Sequence, residues 1–112
     1  MQMQNEKKHE WIRLAGSADE IQFGSNKLAE VMIAGKEICL AKTTSGIKAC
    51  SNKCPHAGGK MAAGKLDSHQ NIVCCVHNYH FNLMHGRDTL DEGYFLKIYP
   101  LKENEEGLFI GI

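Results

Sequence analysis

Cysteine and histidine side chains, which can bind metals, gather in two short stretches of this 112-residue chain. The first stretch is Cys54-Pro55-His56. The second, NIVCCVHNYH at residues 71–80, holds two adjacent cysteines and two histidines: Cys74, Cys75, His77 and His80. Thiolate and imidazole are ligands for zinc and for iron–sulfur clusters. The second stretch offers more of them than one orderly site needs. Three pairings are open, namely Cys74 with His77, Cys75 with His77, or either cysteine with His80.

The spacing of these residues narrows the kind of site. Pairing Cys74 with His77 gives Cys-x-His, then seventeen residues, then Cys-x-x-His. This pattern resembles the cluster-binding signature of the Rieske [2Fe–2S] family. CPHAGGKMAAGKL looks like the first Rieske loop and VCCVHNYHFNLMHGR like the second, so the resemblance covers most of the chain. Zinc fingers usually pair like ligands, so these mixed pairs argue against zinc.

The resemblance implies two protein ligands for each iron of a [2Fe–2S] cluster. Cys54 and Cys74 would bind one iron, and His56 and His77 the other, as in Rieske centres generally. Each loop would then touch both irons, and the cluster would tie the loops together. That would order residues 51–70, a glycine-rich segment predicted to lack secondary structure, which is uncommon in a compact domain unless functional.

Ligand charge bears on the reduction potential. Two neutral imidazoles in place of thiolates make the site less negative, so an added electron costs less Coulomb energy. High-potential relatives carry a disulfide where this chain has Gly59 and Val76, and a serine and a tyrosine where it has Tyr79 and Phe81. The phenol of Tyr79 reaches too far to replace the serine hydroxyl, and Phe81 has none. We therefore expect a potential near the low end of the Rieske range of about −150 to +300 mV.

The remaining cysteines are predicted to be free thiols. Cys75 follows a ligand on a predicted strand, so by alternation it should face away from the cluster, as a buried thiol. Cys39 and Cys50 lie on apolar strands and are expected in the core. A contact of Cys50 with Cys39 or with Cys75 is left open. Met61 is predicted to shield the cluster while packing in the core.

The other histidines are not assigned to the cluster. His80 lies three positions past His77 and is expected on a strand or at the surface. His69 and His85 fall in predicted turns and should be solvated.

Short apolar segments separated by glycines predict an all-β protein. Residues 27–43 indicate a hairpin that turns at 34–36, and Pro100 indicates an edge strand or a bulge. Ser17 is a candidate N-cap of one helical turn at 17–21. Further strands are predicted at 10–15, 47–50, 71–76, 79–84, 94–102 and 108–112.

The resemblance implies a single Rieske domain over residues 1–112. Its base would be an antiparallel β-sandwich or incomplete barrel, formed by about 8–50 and 88–112. A small inserted cluster-binding subdomain would occupy about 51–87, and residues 1–7 are expected to be disordered.

Composition excludes some classes of function. The net charge is zero with histidine neutral, which argues against nucleic-acid binding. No apolar run approaches the length of a membrane span, and the polar N-terminus does not resemble a signal peptide, so a cytoplasmic protein is expected. Lysines 48, 53, 60 and 65 lie in a stretch without acidic residues. They form either a solvated surface or a docking site for an acidic redox partner.

The resemblance implies a one-electron carrier, not an enzyme, and we expect a monomer. It would take electrons from a flavin-dependent reductase and pass them to a terminal oxygenase or another oxidoreductase, through the exposed edges of His56 and His77. The alternatives are the small subunit of an assimilatory nitrite reductase, or a structural zinc or redox-sensing module. Members of the nitrite reductase group often lack the ligand set, which is intact here.

Overall fold

The computed structural model describes residues 10–56 and 58–112, and the predicted disorder of residues 1–7 lies outside them. Within these ranges the structure has ten β-strands and two single 3₁₀ turns but no α-helix, which confirms the all-β prediction. The strands are β1 (Trp11–Ala15), β2 (Leu28–Ile33), β3 (Lys36–Thr43), β4 (Gly46–Ser51), β5 (Lys65–Leu66), β6 (Ile72–Val73), β7 (His80–Phe81), β8 (Ile98–Tyr99), β9 (Leu101–Asn104) and β10 (Gly107–Gly111). The 3₁₀ turns are Ala18–Glu20 and Met61–Ala63.

The strands form three antiparallel sheets. The first has the order β1-β10-β9, the second β2-β3-β4-β8 and the third β5-β6-β7. The third sheet consists of two-residue strands: β5 lies between the two Cys/His stretches, and β6 and β7 lie at the two ends of the second one. Neither helical turn in the described ranges has the length and apolar character that crossing a membrane requires.

Strands β3 and β4 separate two hydrophobic cores. Cys39, Ala41 and Cys50 point into one core, which also contains Cys54, Met61, Cys74 and Phe81. The alternate residues Ile38, Leu40 and Ala49 point into the other, together with Ile110. Because successive side chains of a strand face opposite sides, a central strand between two cores is apolar throughout. The core that contains both candidate ligand cysteines therefore packs against one face of the second sheet.

Two predictions about turns are confirmed. Ala34 and Gly35 join β2 to β3 with φ of 52° and 78°, the left-handed conformation that two-residue hairpin turns require. Pro100 lies where the chain leaves β8, at the edge of the second sheet, and enters β9, at the edge of the first.

The elements around the predicted site are shorter than the sequence indicated. The strands predicted at 71–76 and 79–84 are only β6 and β7, because the chain turns directly after each. Residues 51–70, predicted to lack secondary structure, contain the Met61–Ala63 turn and β5. Ser17 precedes a 3₁₀ turn as expected, but its side chain makes no capping hydrogen bond.

Candidate metal centre

The two Cys/His stretches adopt the same backbone turn. The Cys54 N–H donates to the carbonyl of Gly59, and the Cys54 carbonyl accepts from the N–H of Gly58, both at 2.8 Å. Cys74 makes the equivalent bonds with Tyr79 at 2.8 Å and Asn78 at 3.0 Å. The fifth residue of each turn is left-handed, with φ of 77° at Gly58 and 57° at Asn78. Glycine and asparagine are the residues that tolerate this conformation best, so these positions favour the turn.

These turns bring the two histidines together. The Nδ1 atoms of His56 and His77 lie 3.4 Å apart, and the ring planes cross at 75°. Two nitrogens that each lie ~2.1 Å from one tetrahedral metal ion are ~3.4 Å apart. The spacing of the imidazoles therefore fits a pair of ligands to one metal ion.

Cys54 and Cys74, one from each turn, form a second pair. Cys54 and Cys74 are both buried, each 1% exposed. Burial raises the pKa of the Cys74 thiol, and the adjacent Cys54 side chain raises it further, although the Val76 N–H opposes this. Bound iron would supply the positive charge that keeps such thiols deprotonated. At this buried position, thiolates are therefore more easily explained with a bound metal ion than without one.

The pairing fits a binuclear centre. In a [2Fe–2S] cluster each iron needs two protein ligands, because the two sulfides complete its coordination. A His56–His77 pair and a Cys54–Cys74 pair provide that division.

Gly59 and Val76 face each other beside the site. A Cβ atom on Gly59 would come 2.5 Å from Val76 Cγ2, and it would lie 3.5 Å from Cys74 Sγ. The two positions that match the disulfide of high-potential relatives are therefore neighbours here. The Val76 side chain occupies the space between them.

Side-chain amides hold the segment that follows the first turn, and the sequence analysis missed them. Asn52 is 1% exposed, and its Oδ1 accepts the N–H of Ala62 at 2.8 Å. Asn26 Nδ2 donates to the carbonyls of Ala62 and Gly64, both at 3.0 Å. Met61 is fully buried in the same core as Cys54 and Cys74, so its predicted core packing is confirmed. Hydrogen bonds from the base therefore order this segment, in addition to any effect of the cluster. In the sequence, these hydrogen bonds are signalled only by an asparagine beside a glycine-rich segment.

Aromatic rings cover one histidine but leave the other open. The ring of Tyr79 stacks on His56 with centroids 3.9 Å apart and planes 18° apart. Tyr94 packs edge-on against His56 at 5.0 Å. His77 is exposed, as predicted, whereas His56 is only half-exposed. The two imidazole edges are thus not equivalent.

The hydroxyl group of Tyr79 is also engaged. It donates a hydrogen bond to Glu92 Oε1 at 2.5 Å. This bond, with burial and the charge of Glu92, raises the pKa of Tyr79 to about 12. The hydroxyl therefore stays protonated at neutral pH and is committed to Glu92.

The prediction that Cys75 is buried is wrong, because its side chain is exposed. Alternation does turn it away from Cys74, but the chain is already in a turn there, and the outer side of that turn is solvent. Cys39 and Cys50 are buried and lie opposite each other on β3 and β4, so the contact left open between them is present.

The other histidines and the lysines are placed as follows. His80 lies on β7 with its Nδ1 atom 2.7 Å from Asp67 Oδ2, while His69 and His85 are exposed.

Lys53 and Lys60 face each other across a β-bridge next to the first turn. Lys48 and Lys65 belong to β4 and β5. The lysine stretch of the sequence is therefore divided among several elements.

Solved structures with the same fold come from more than one functional context. The ferredoxin of carbazole 1,9a-dioxygenase from Nocardioides aromaticivorans IC177 is 18% identical with a TM-score of 0.73, covering 90% of this chain and 95% of that one. A protein from Mycobacterium tuberculosis, assigned as an NADH-dependent nitrite reductase small subunit, is 19% identical with a TM-score of 0.78 and coverages of 95% and 97%. A chain in a complex between oxygenase and ferredoxin of carbazole 1,9a-dioxygenase is 17% identical with a TM-score of 0.75, covering 92% of this chain and 28% of that one.

The sequence itself matches a family model. Among curated protein sequences there is no significant match. The model of the Rieske [2Fe-2S] domain matches residues 10–93. This range includes both turns, with Cys54 and His56 in the first and Cys74 and His77 in the second. The chain therefore belongs to the Rieske [2Fe–2S] domain family, and its cofactor is a [2Fe–2S] cluster.

Proposed function

We propose that this protein is a one-electron carrier whose cluster is bound by Cys54 and Cys74 on one iron and by His56 and His77 on the other. The observation that carries the assignment is the 3.4 Å separation of the two Nδ1 atoms above a buried cysteine pair. Each turn contributes one member to each pair, as the two-iron arrangement requires.

The residues around the site have separable tasks in electron transfer. The bound cluster supplies a couple that gains and loses one electron. The cysteine side chains lie in a core with Met61 and Phe81, which keeps water from the thiolates. The His77 ring is exposed and offers a short path to a partner. The function needs no substrate pocket, because no bond is made or broken.

We propose a flavin-dependent reductase as the electron donor and a terminal oxygenase as the acceptor. Similarity in fold to a ferredoxin of a dioxygenase system supports the acceptor, and so does similarity to a chain from an oxygenase–ferredoxin complex. We also propose a cytoplasmic monomer, from the sequence. A nitrite reductase small subunit has the same fold and remains the second candidate. The complete set of two Cys and two His favours the carrier.

Adjacent cysteines provide a matched test of the ligand assignment. Purified protein should be red-brown, contain two irons per chain, and give a Rieske-type EPR signal on reduction. The Cys74→Ser variant should lose the absorption and the signal, because one iron loses a thiolate. The Cys75→Ser variant should keep both, since Cys75 is exposed. Cluster loss only in Cys75→Ser would overturn the assignment, and a colourless protein with one zinc would overturn the cofactor.

A second measurement separates a carrier from a sensor or a reductase subunit. The reduced protein should be reoxidised by a purified terminal oxygenase and should support its turnover in the presence of substrate. Stable association with a nitrite reductase large subunit, without oxygenase turnover, would favour the second candidate. A loaded cluster that supports neither would favour redox sensing.

A further inference from the structure

Tyr79 contacts the ligand His56 over the whole face of its ring. The two rings are 18° from parallel with centroids 3.9 Å apart, which is close stacking. Tyr94 approaches both rings edge-on, at 5.0 Å from His56 and 5.5 Å from Tyr79. His56 therefore cannot tilt without displacing one of these tyrosines.

Tyr79 is itself held from a different part of the chain. Its hydroxyl group donates to Glu92, and Glu92 lies in a loop organised by the buried carboxylate of Asp88. That carboxylate accepts the N–H groups of Leu90 at 3.0 Å and of Glu92 and Tyr94 at 2.9 Å. Both braces of His56, the Tyr79–Glu92 bond and the Tyr94 ring, thus depend on one loop.

Among the described residues, none covers His77 in a comparable way. Its ring is exposed and meets His56 edge-on with centroids 5.0 Å apart. The neighbouring Val76 is also exposed, at 46%. A partner that approaches this end of the molecule reaches the His77 edge directly but reaches His56 only past the ring of Tyr79.

We propose that Tyr79 is a positioning residue that fixes the ring of His56 and covers one of its faces, so that electrons enter and leave mainly through the more exposed His77. The proposal rests on the proposed function, because it takes both histidines as ligands. The position of a fixed imidazole changes little when the charge of the site changes. One imidazole edge that is more open than the other gives partners one preferred orientation.

The test compares three variants of the cluster-loaded protein. Tyr79→Ala removes the ring, Tyr79→Phe removes only the bond to Glu92, and Phe95→Ala removes an exposed ring that does not stack on His56. Electron–nuclear double resonance of reduced protein with ¹⁵N-labelled histidine resolves one coupling for each ligand nitrogen. We expect Tyr79→Ala to broaden or shift one of the two couplings and leave the other unchanged. Tyr79→Phe should cause a smaller change in the same coupling, and Phe95→Ala none.

Stopped-flow oxidation by ferricyanide tests the exposure of His56. The rate should increase in Tyr79→Ala, because the His56 imidazole becomes more accessible, and should stay at the wild-type value in Phe95→Ala. If Tyr79→Ala fails to fold, Tyr79→Leu keeps the bulk without an aromatic face and should give the same one-sided change.

Either of two results would overturn the proposal. Two unaltered couplings would mean that Tyr79 does not position His56, and two equally altered couplings would mean a general disturbance of the fold. Wild-type protein without two histidine nitrogen couplings would instead refute the proposed ligand set, so the two failures are distinguishable.

Discussion

At the scale of single residues, we expect the side chains around the proposed ligands to tune the reduction potential. Gly59 and Val76 occupy the place of a disulfide, and Phe81 is fully buried in the core that contains Cys54 and Cys74. A phenyl ring offers no hydrogen bond to a ligand sulfur, and the Tyr79 hydroxyl is committed to Glu92. The reduced site therefore lacks two hydroxyl donors that high-potential relatives have, and we expect its added negative charge to be less stabilised and its potential to be lower.

Adding a hydroxyl group at Phe81 should raise the potential. In Phe81→Tyr a donor close to a ligand sulfur would stabilise the reduced state and raise the midpoint by an amount on the order of tens of mV. Protein-film voltammetry measures this directly. Phe109→Tyr makes the same change on β10 and should leave the midpoint unaltered. A wild-type midpoint near the upper end of the family range would contradict the argument, as would a fall in Phe81→Tyr.

At the scale of elements, Asp67 holds the small third sheet together. Its carboxylate accepts the N–H groups of His69 at 2.8 Å and Asn71 at 2.9 Å in the turn between β5 and β6, and it pairs with His80 on β7. Burial raises the pKa of this carboxyl, but the hydrogen bonds from His80, Asn71 and His69 outweigh it and lower the pKa to about 2. One side chain thus connects the three strands next to the cluster.

The lowered pKa predicts a stability loss in acid. The unfolded carboxyl has a pKa of about 3.9. The contribution of Asp67 is therefore complete above about pH 4 and lost as the pH falls towards 2. Asp67→Asn should lower the free energy of unfolding at pH 7 by about 1–2 kcal/mol and flatten its decline below pH 4. Urea unfolding followed by circular dichroism measures both, with the exposed Asp19→Asn as control. An unchanged decline in Asp67→Asn would show that other carboxylates, such as Asp88, carry the acid dependence.

At the scale of the whole molecule, the end that bears the histidines has unlike charges on its two sides. Lys53 and Lys60 flank the first turn, whereas Asp91 and Glu92 lie beyond Tyr79. Lys60 pairs with Glu30 at 3.2 Å, but both side chains are well exposed, so the pair is weak and the lysine remains open to a partner. This arrangement favours a partner that brings acidic groups to the lysine side.

Charge reversal on the lysine side should slow electron transfer. The double variant Lys53→Glu/Lys60→Glu should reduce the association rate with the partner by about tenfold or more at low ionic strength. The difference should shrink towards zero near 1 M salt, where screening extends only about 3 Å. Lys102→Glu on β9 changes the net charge at a distant site and serves as control. Rates insensitive to salt, or equal effects of both substitutions, would leave the lysines as ordinary solvated surface.

The sequence by itself determined the features that depend on residue type and local spacing. The Cys-x-His and Cys-x-x-His pattern identified the family, because ligand chemistry belongs to the side chains themselves. The Ala34-Gly35 turn and the break at Pro100 were equally predictable, since each follows from the backbone preferences of one or two residues.

Only the tertiary structure decided how residues distant in sequence meet. No local pattern encodes the contacts around the site. These contacts are those of Tyr79 with His56 and Glu92, of Asn26 and Asn52 with the segment at 61–64, and of Asp67 with His80. The exposure of Cys75 was mispredicted for the same reason, because alternation along a strand does not say where the strand ends. Which ligand is covered and which is open depends on packing between loops, and packing is a property of the folded chain.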